Sequence, residues 1–336
     1  MAIEENEISV NSNGGTELVK RGLGERLEKA SPGILDDFQI ICSRVRELKD
    51  DKIRVYWLHD LPEDPETNHL SKKDSRDRFH HLTFCGEWQY NRYRDYLGIG
   101  YSEKHSVIDN GIEPIELLPK PKDEIRLIYT STPQRGLAIL VPVFEALCEK
   151  YDNITLDVFS SFGIYGWKES DKPFEDLFEK CRQHPKINYH GFQPNAVVRE
   201  HLQKAHIFAY PSIWMECNSV ATMEAMSAGC LVVTPNYGGL VDTTGKITMM
   251  YQGDSDPQVH AQKFYNSLDH AIGIAQNEQT VSYTKFVKAY ADSRYNWNNV
   301  TFQWMTLLTD LKHRYADVES RRLPVVSENV ISYKTD

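Results

Sequence analysis

At 336 residues, with 40% hydrophobic and 26% charged side chains, the chain is long enough for two domains that each bury a full core. Its formal net charge of −10 argues against a nucleic-acid-binding surface, which needs a basic stripe. No apolar run reaches the roughly 18 residues of a membrane helix, and the acidic N-terminus lacks a signal-peptide core.

The expectation is therefore a cytoplasmic protein without a transmembrane segment. Its six scattered cysteines, with no C-x-x-C pair, read as buried thiols. Short β-rich runs alternate with longer amphipathic runs along the chain, the pattern of parallel sheets covered by helices on both faces. In the first third, strands are expected at residues 8–10, 38–42, 53–58, 81–84 and 105–108, and helices at 16–29 and 87–97. Asn13-Gly14-Gly15-Thr16 falls between a strand and a helix, where glycines let backbone approach a ligand. His80 and His81 open a strand and read as structural. Residues 113–121 carry Pro114, Pro119 and Pro121, which break both helix and sheet, and the domain division is placed there. The expected units are an N-terminal domain (1–118), a C-terminal domain (119–296), and a closing helical stretch with a polar tail (297–336).

The second half is more regular. Strands are expected at 125–129, 154–159, 187–189, 207–210 and 231–234, and helices at 137–151, 174–184, 196–204, 219–228 and 297–315. A further helical run begins near Pro257. Gly229 stops the helix at 219–228.

The most informative stretch is residues 209–226. An apolar strand ends at Pro211-Ser212, a loop carries Glu216, and a helix starts near Ser219 with Glu224 inside it. In an open α/β sheet, ligands bind beyond the carboxyl ends of the strands. A helix start there offers unpaired N–H groups and partial positive charge to a phosphate. A carboxylate one or two turns on can accept from ribose hydroxyls, and one in the preceding loop can reach a sugar. Glu224 sits in an otherwise apolar helix, so it needs partners.

At Pro211-Ser212, Glu216, Glu224-Ala225-Met226, Gly229 and Val233 the chain resembles glycosyltransferase family 4, retaining transferases of the GT-B fold. Further motifs fall in the family's order: Asn13-Gly14-Gly15-Thr16-Glu17, Trp57-Leu58-His59-Asp60, Asn110-Gly111-Ile112, the basic loop Ser131-Thr132-Pro133-Gln134-Arg135-Gly136-Leu137, and His190-Gly191-Phe192. The resemblance covers residues 8–310 or so. It implies an α/β, GT-B fold with two Rossmann-like domains facing across a cleft. It also implies a hexosyltransferase that moves a hexose from a UDP- or GDP-linked donor to a hydroxyl of a glycan, lipid or other acceptor.

The resemblance assigns roles. Arg135 contacts the diphosphate and stabilises charge on the departing phosphate. Glu216 binds donor-sugar hydroxyls, Glu224 binds ribose, and the backbone of Asn218, Ser219 and Val220 holds phosphate or sugar. Gly14 and Gly15 let the N-terminal domain close on the diphosphate, and His59 lies near the reacting sugar. Asn110 belongs to the interdomain turn, while Gly191 and Phe192 hold the base. Retention would let the leaving phosphate oxygen take the acceptor's proton, with no protein nucleophile, no cofactor and no metal. The D-x-D at Asp254-Ser255-Asp256 precedes a helix and reads as a cap. Where the family carries a further arginine, this chain has Tyr129 and Thr130. The short first half suits an unusual or large acceptor. Two other functions fit the same scaffold: a catalytically silent nucleotide-sugar-binding protein, and a nucleotide-sugar epimerase. A dinucleotide oxidoreductase is disfavoured because no G-x-G-x-x-G follows a first strand.

Overall fold

The computed structural model describes residues 14–323. In chain order it runs α1 (Gly15–Ala30), β1 (Phe38–Cys42), β2 (Ile53–Leu58), α2 (Lys73–Arg76), β3 (His81–Phe84), α3 (Glu87–Leu97), β4 (His105–Val107), β5 (Ile125–Thr130), α4 (Leu137–Cys148) and β6 (Ile154–Phe159). It continues with α5 (Glu175–Gln183), β7 (Ile187–Tyr189), α6 (Asn195–Lys204), β8 (Ile207–Ala209), α7 (Val220–Ser227), β9 (Leu231–Pro235), α8 (Leu240–Thr243), β10 (Met249–Tyr251), α9 (Pro257–Ile274), α10 (Glu278–Tyr295) and α11 (Trp297–Arg314). These elements form two compact units: residues 16–111 with 297–323, and residues 14–15 with 112–296. The strand expected at 8–10 lies outside the described residues.

In the first unit the sheet is parallel throughout, in the order β1-β2-β3-β4. β2 is buried along its whole length, as a central parallel strand covered on both faces must be. α1 buries Val19, Leu23 and Leu27, one apolar stripe at four-residue spacing. α11 completes this unit: Trp304 meets Trp57 of β2 edge-on, with ring centroids 5.0 Å apart. Trp297 fills a notch left by two glycines. A Cβ at Gly22 would lie 2.6 Å from its ring, and one at Gly111 would overlap it. His80 and His81 are structural, as expected: His80 Nδ1 accepts from Arg54 N at 2.9 Å, and His81 Nε2 lies 3.0 Å from Ser106 Oγ.

The second unit carries a six-stranded parallel sheet in the order β10-β9-β8-β5-β6-β7. Counted from its own first strand this is 6-5-4-1-2-3, the doubly wound order, with its reversal between β5 and β8. Ile112 and Ile115 belong to this unit's core, and Ile115 N donates to Ser227 Oγ at 2.8 Å. The proline-rich stretch thus packs with the second unit, and the division falls at residue 111 rather than 118.

Among the described residues no helix is long and apolar enough to cross a membrane. Cys85, Cys181 and Cys230 are buried thiols. Cys42, Cys148 and Cys217 are only half-buried, because they sit at a strand end, a helix end and in a loop.

Candidate functional site at the sheet reversal

Ligands of doubly wound sheets bind beyond the carboxyl ends of the strands where the order reverses. Here those strands are β5 and β8. β5 runs into the loop that carries Arg135, and β8 into the loop that carries Glu216. The two loops touch. Gly136 adopts φ +123°, and a Cβ there would overlap the Pro211 carbonyl, so only glycine permits the approach.

Arg135 Nη1 donates to Glu216 Oε1 at 2.7 Å. The side chains are 23% and 10% exposed. Tyr210 OH donates to the same carboxylate oxygen, and Ser131 Oγ lies 3.4 Å from that hydroxyl. Tyr129 OH donates to Thr132 O at 2.8 Å, bracing the basic loop. Burial is the largest single influence on Arg135 and works to lower its pKa, but Glu216, with Tyr210 and Tyr165, together outweigh it and hold the guanidinium well above its ordinary value. Burial and then Glu216 raise the Tyr210 phenol, so it stays protonated and donates. Behind Glu216, Gly239 N donates to Glu216 O at 2.6 Å. Gly238 sits at φ +58°, where a Cβ would lie 3.0 Å from Glu216 N.

Five polar side-chain atoms at this edge are buried without a hydrogen-bond partner: Thr130 Oγ1, Thr132 Oγ1, Gln134 Oε1, Arg135 Nε, and Ser160 Oγ just after β6. Buried polar groups in folded proteins are nearly always paired. Such a concentration at the carboxyl edge of one sheet makes this edge the candidate ligand site. Four of the five can donate, the three hydroxyls also able to accept, and Gln134 Oε1 accepts only.

α7 begins beyond β8. Ser219 caps it, its Oγ accepting from Thr222 N at 3.4 Å and from Thr222 Oγ1 at 3.0 Å. Asn218 and Ser219 are buried and Val220 is half-buried. Because Met223, Ala225 and Met226 around it are all buried, Glu224 is an internal carboxylate. It accepts from Asn195 Nδ2, at 3.0 Å to Oε2 and 3.3 Å to Oε1, and from Arg199 Nη1 at 2.8 Å to Oε1. Arg199 Nη2 donates onward to Glu113 O at 2.8 Å. Burial pushes the Glu224 carboxyl up, against Arg199 and Asn195. Its Oε2 has one protein partner and keeps a lone pair for a hydroxyl.

The remaining expected residues are distributed as follows. Gly191, at φ +61°, and Phe192 form the turn after β7. Gly14 is buried and Gly15 is exposed. A Cβ on Gly15 would meet Val220 Cγ2, in the same unit, at an ordinary 3.8 Å, so sterics do not demand glycine there. Asn13 lies outside the described residues. In the first unit, Asn110 is buried, and His59 directly follows β2 with its ring 4.4 Å from that of Trp57. His59 Nε2 is buried without a partner. Burial, then Lys20, holds its pKa down to about 3, so the imidazole is neutral. Asp256 caps α9, accepting from Gln258 N at 2.8 Å and Val259 N at 3.3 Å, and Asp254 pairs with Lys263 at 2.8 Å. Both D-x-D carboxylates are used by the fold.

The structure therefore joins Arg135 directly to Glu216 and gives Glu224 its own partners. Sequence reasoning missed Tyr210, Asn195, Arg199 and the Gly238–Gly239 brace. Of these, only the Asn236-Tyr237-Gly238-Gly239 turn had a local signal.

Residues 113–246 match the family model for glycosyl transferases group 1. Among solved structures, a glycosyltransferase from Rickettsia africae is similar over 90% of this chain and 84% of its own, with a TM-score of 0.65 at 12% identity. Sucrose-phosphate synthase from Thermosynechococcus elongatus is similar over 89% and 79%, with a TM-score of 0.64 at 14% identity. Anabaena HepE in complex with UDP and glucose is similar over 85% and 80%, with a TM-score of 0.61 at 16% identity. At these identities the likeness is one of fold, GT-B with two Rossmann-like units. No curated protein sequence matches.

Proposed function

We propose that the chain is a glycosyltransferase that moves a hexose from a nucleoside diphosphate sugar to a hydroxyl of a glycan or lipid acceptor, with retention and without a metal in the transfer step. The observation that carries this reading is the set of unpartnered buried polar atoms around Arg135 at the β5–β8 reversal. The hydroxyls of Thr130, Thr132 and Ser160 and the Arg135 Nε all donate, which is the complement of diphosphate oxygens, while Gln134 Oε1 suits a sugar or ribose hydroxyl. The group 1 match over the unit that bears them supports the same reading. The UDP and glucose bound by Anabaena HepE favour a uridine donor and a glucose-type sugar over a GDP-linked one.

In this reading the diphosphate enters beside Arg135 and competes with Glu216 for the guanidinium. Charge that grows on the leaving phosphate is stabilised by Arg135 and the threonine hydroxyls. Thr130 and Thr132 do part of the work of the family's missing arginine. Glu216, held by Tyr210, takes sugar hydroxyls, the first turn of α7 offers its N–H groups to phosphate, and Glu224 Oε2 takes a ribose hydroxyl. The acceptor's proton passes to the departing phosphate oxygen on the same face, so no protein base is needed.

One observation favours a silent binder instead: Glu216 already neutralises Arg135. A thermal-shift screen of UDP, GDP and ADP and their hexose derivatives, followed by NMR of the stabilising donor with an acceptor panel, separates the readings. Donor consumed and new glycoside formed supports transfer. Stabilisation with an intact donor supports binding alone, and no stabilising nucleotide overturns both.

A further inference from the structure

Three side chains of the second unit that play no part in the proposed transfer converge on one point. Asp157 lies in β6, His190 directly follows β7, and His201 lies on α6. Pairing of β6 with β7 sets Asp157 opposite Asn188. His190 Nε2 is 2.8 Å from Asp157 Oδ1, and His201 Nδ1 is 3.3 Å from Asp157 Oδ2. One ligand atom from each residue lies within 4.8 Å of the other two.

The rings are held in place. Phe159 stacks flat on His190 with centroids 4.3 Å apart and meets His201 edge-on at 5.0 Å, and the two imidazoles are 4.7 Å apart. Asn188 Nδ2 donates to Asp157 Oδ1 at 3.2 Å, orienting the carboxylate from behind. Ligand-bearing groups fixed by outer hydrogen bonds are the usual construction of a metal site. The Asp157 side chain is only 7% exposed. His201 Nδ1 is shielded from solvent and makes no hydrogen bond, although Oδ2 lies within ion-pair range. A buried ring nitrogen that faces a carboxylate without bonding to it lacks something between them.

We propose that Asp157, His190 and His201 bind a divalent transition-metal ion, zinc foremost. Two imidazoles and one carboxylate are a common zinc donor set, with water completing a tetrahedron. Metal–ligand distances of about 2.0–2.2 Å put neighbouring ligand atoms about 3.3–3.5 Å apart in that geometry. The observed 2.8 and 3.3 Å run to the two different oxygens of Asp157, and one ligand atom from each residue lies within 4.8 Å of the others, so the rings must draw together to seat the ion. It ties β6, the end of β7 and α6 together, and fixes the backbone from which the Gly191–Phe192 turn departs. It is separate from the transfer step, and it departs from the sequence expectation of no metal, because its ligands are 33 and 11 residues apart and form no short motif.

The test uses the full chain, stripped with chelator, loaded with Zn²⁺, desalted and assayed for metal, alongside calorimetric titration with Zn²⁺. One tightly held zinc per chain is expected, with affinity lowered at least about 100-fold in Asp157→Asn and His201→Gln and about 10-fold in Asn188→Ala. A wild type that retains no zinc overturns the proposal. So does undiminished binding in both ligand variants, which would assign the metal to thiols or other surface groups. Should the variants fail to fold, imidazole NMR of the wild type decides: Zn²⁺ must shift the His190 and His201 ring signals, and unshifted signals with zinc bound overturn the site. None of these readouts involves nucleotide, so failure here leaves the glycosyl-transfer reading untouched.

Discussion

Replacing Arg135 with alanine removes the cation from a pair whose side chains are 23% and 10% exposed. Breaking a fully buried pair costs about 3–5 kcal/mol because the other charge is stranded. Tyr210 still donates to Glu216 Oε1 after the change, so the expected loss of stability is smaller, about 1–3 kcal/mol. The loss in turnover is expected to be larger. A donor aimed at developing charge is worth about 10²–10³ in kcat. Urea unfolding and single-turnover donor consumption, measured on Arg135→Ala, Glu216→Ala and the double variant, separate the two effects. Stability should show a coupling of about 1–2 kcal/mol between the residues, while the double variant remains catalytically as poor as Arg135→Ala. If Arg135→Ala destabilises the chain yet keeps full kcat, the arginine is a structural ion-pair partner and the assignment to the diphosphate is refuted.

Glu224→Gln keeps the shape but weakens the bonds from Arg199 and Asn195 and the contact to ribose, so nucleotide affinity measured by calorimetry should fall about 10–100-fold, the worth of a charge-assisted hydrogen bond. Gly136→Ala should fail to accumulate as folded protein or lose several degrees of thermal midpoint, because φ +123° and the overlap with Pro211 O both oppose a Cβ; an unchanged midpoint would show that the two loops yield. Acidification should destabilise the fold. His59 is held at about 3, and His69, His80, His81, His105 and His206 at about 4, all by burial first. Between those values and the ordinary 6.5 the unfolded chain binds more protons than the native one, so stability is full above pH 6.5 and falls as pH drops toward 4, by up to about 1.4 kcal/mol per pH unit for each fully buried ring. The carboxyls of Glu17, Asp60 and Glu224, raised by burial, act in the opposite sense but are fewer. A thermal midpoint that does not fall between pH 7 and pH 5 would contradict this balance.

The strands were legible where short runs rich in β-branched, aromatic and other apolar residues were bounded by turn residues. Phe38–Cys42, Ile53–Leu58, His81–Phe84, Ile154–Phe159 and Ile187–Tyr189 all coincide with expectation. α10 escaped because the face it buries reads Thr280, Thr284, Val287, Ala291 and Tyr295, a stripe that is partly polar and therefore lacks a clear apolar period. β10 is three residues long at a sheet edge, too short for a pattern. At the site, residue types and local order pointed to Arg135, Glu216 and Glu224, but not to their partners. Arg135 and Glu216 are 81 positions apart, and Glu224 is 29 and 25 positions from Asn195 and Arg199. Only the parallel sheet, by bringing the ends of distant strands to one edge, makes them neighbours.

Thr130→Val bears most directly on the claim that a diphosphate satisfies the orphaned groups at the β5 edge. The substitution is nearly isosteric and deletes a buried hydroxyl that has no partner in the unliganded chain. Titrating wild type and variant with UDP in a calorimeter, and melting both without ligand, should give weaker binding, by about 10-fold or more, together with an unliganded fold that is as stable or up to about 1–3 kcal/mol more stable. Equal UDP affinity in the two proteins, or no heat with UDP, GDP or ADP in either, would contradict the account.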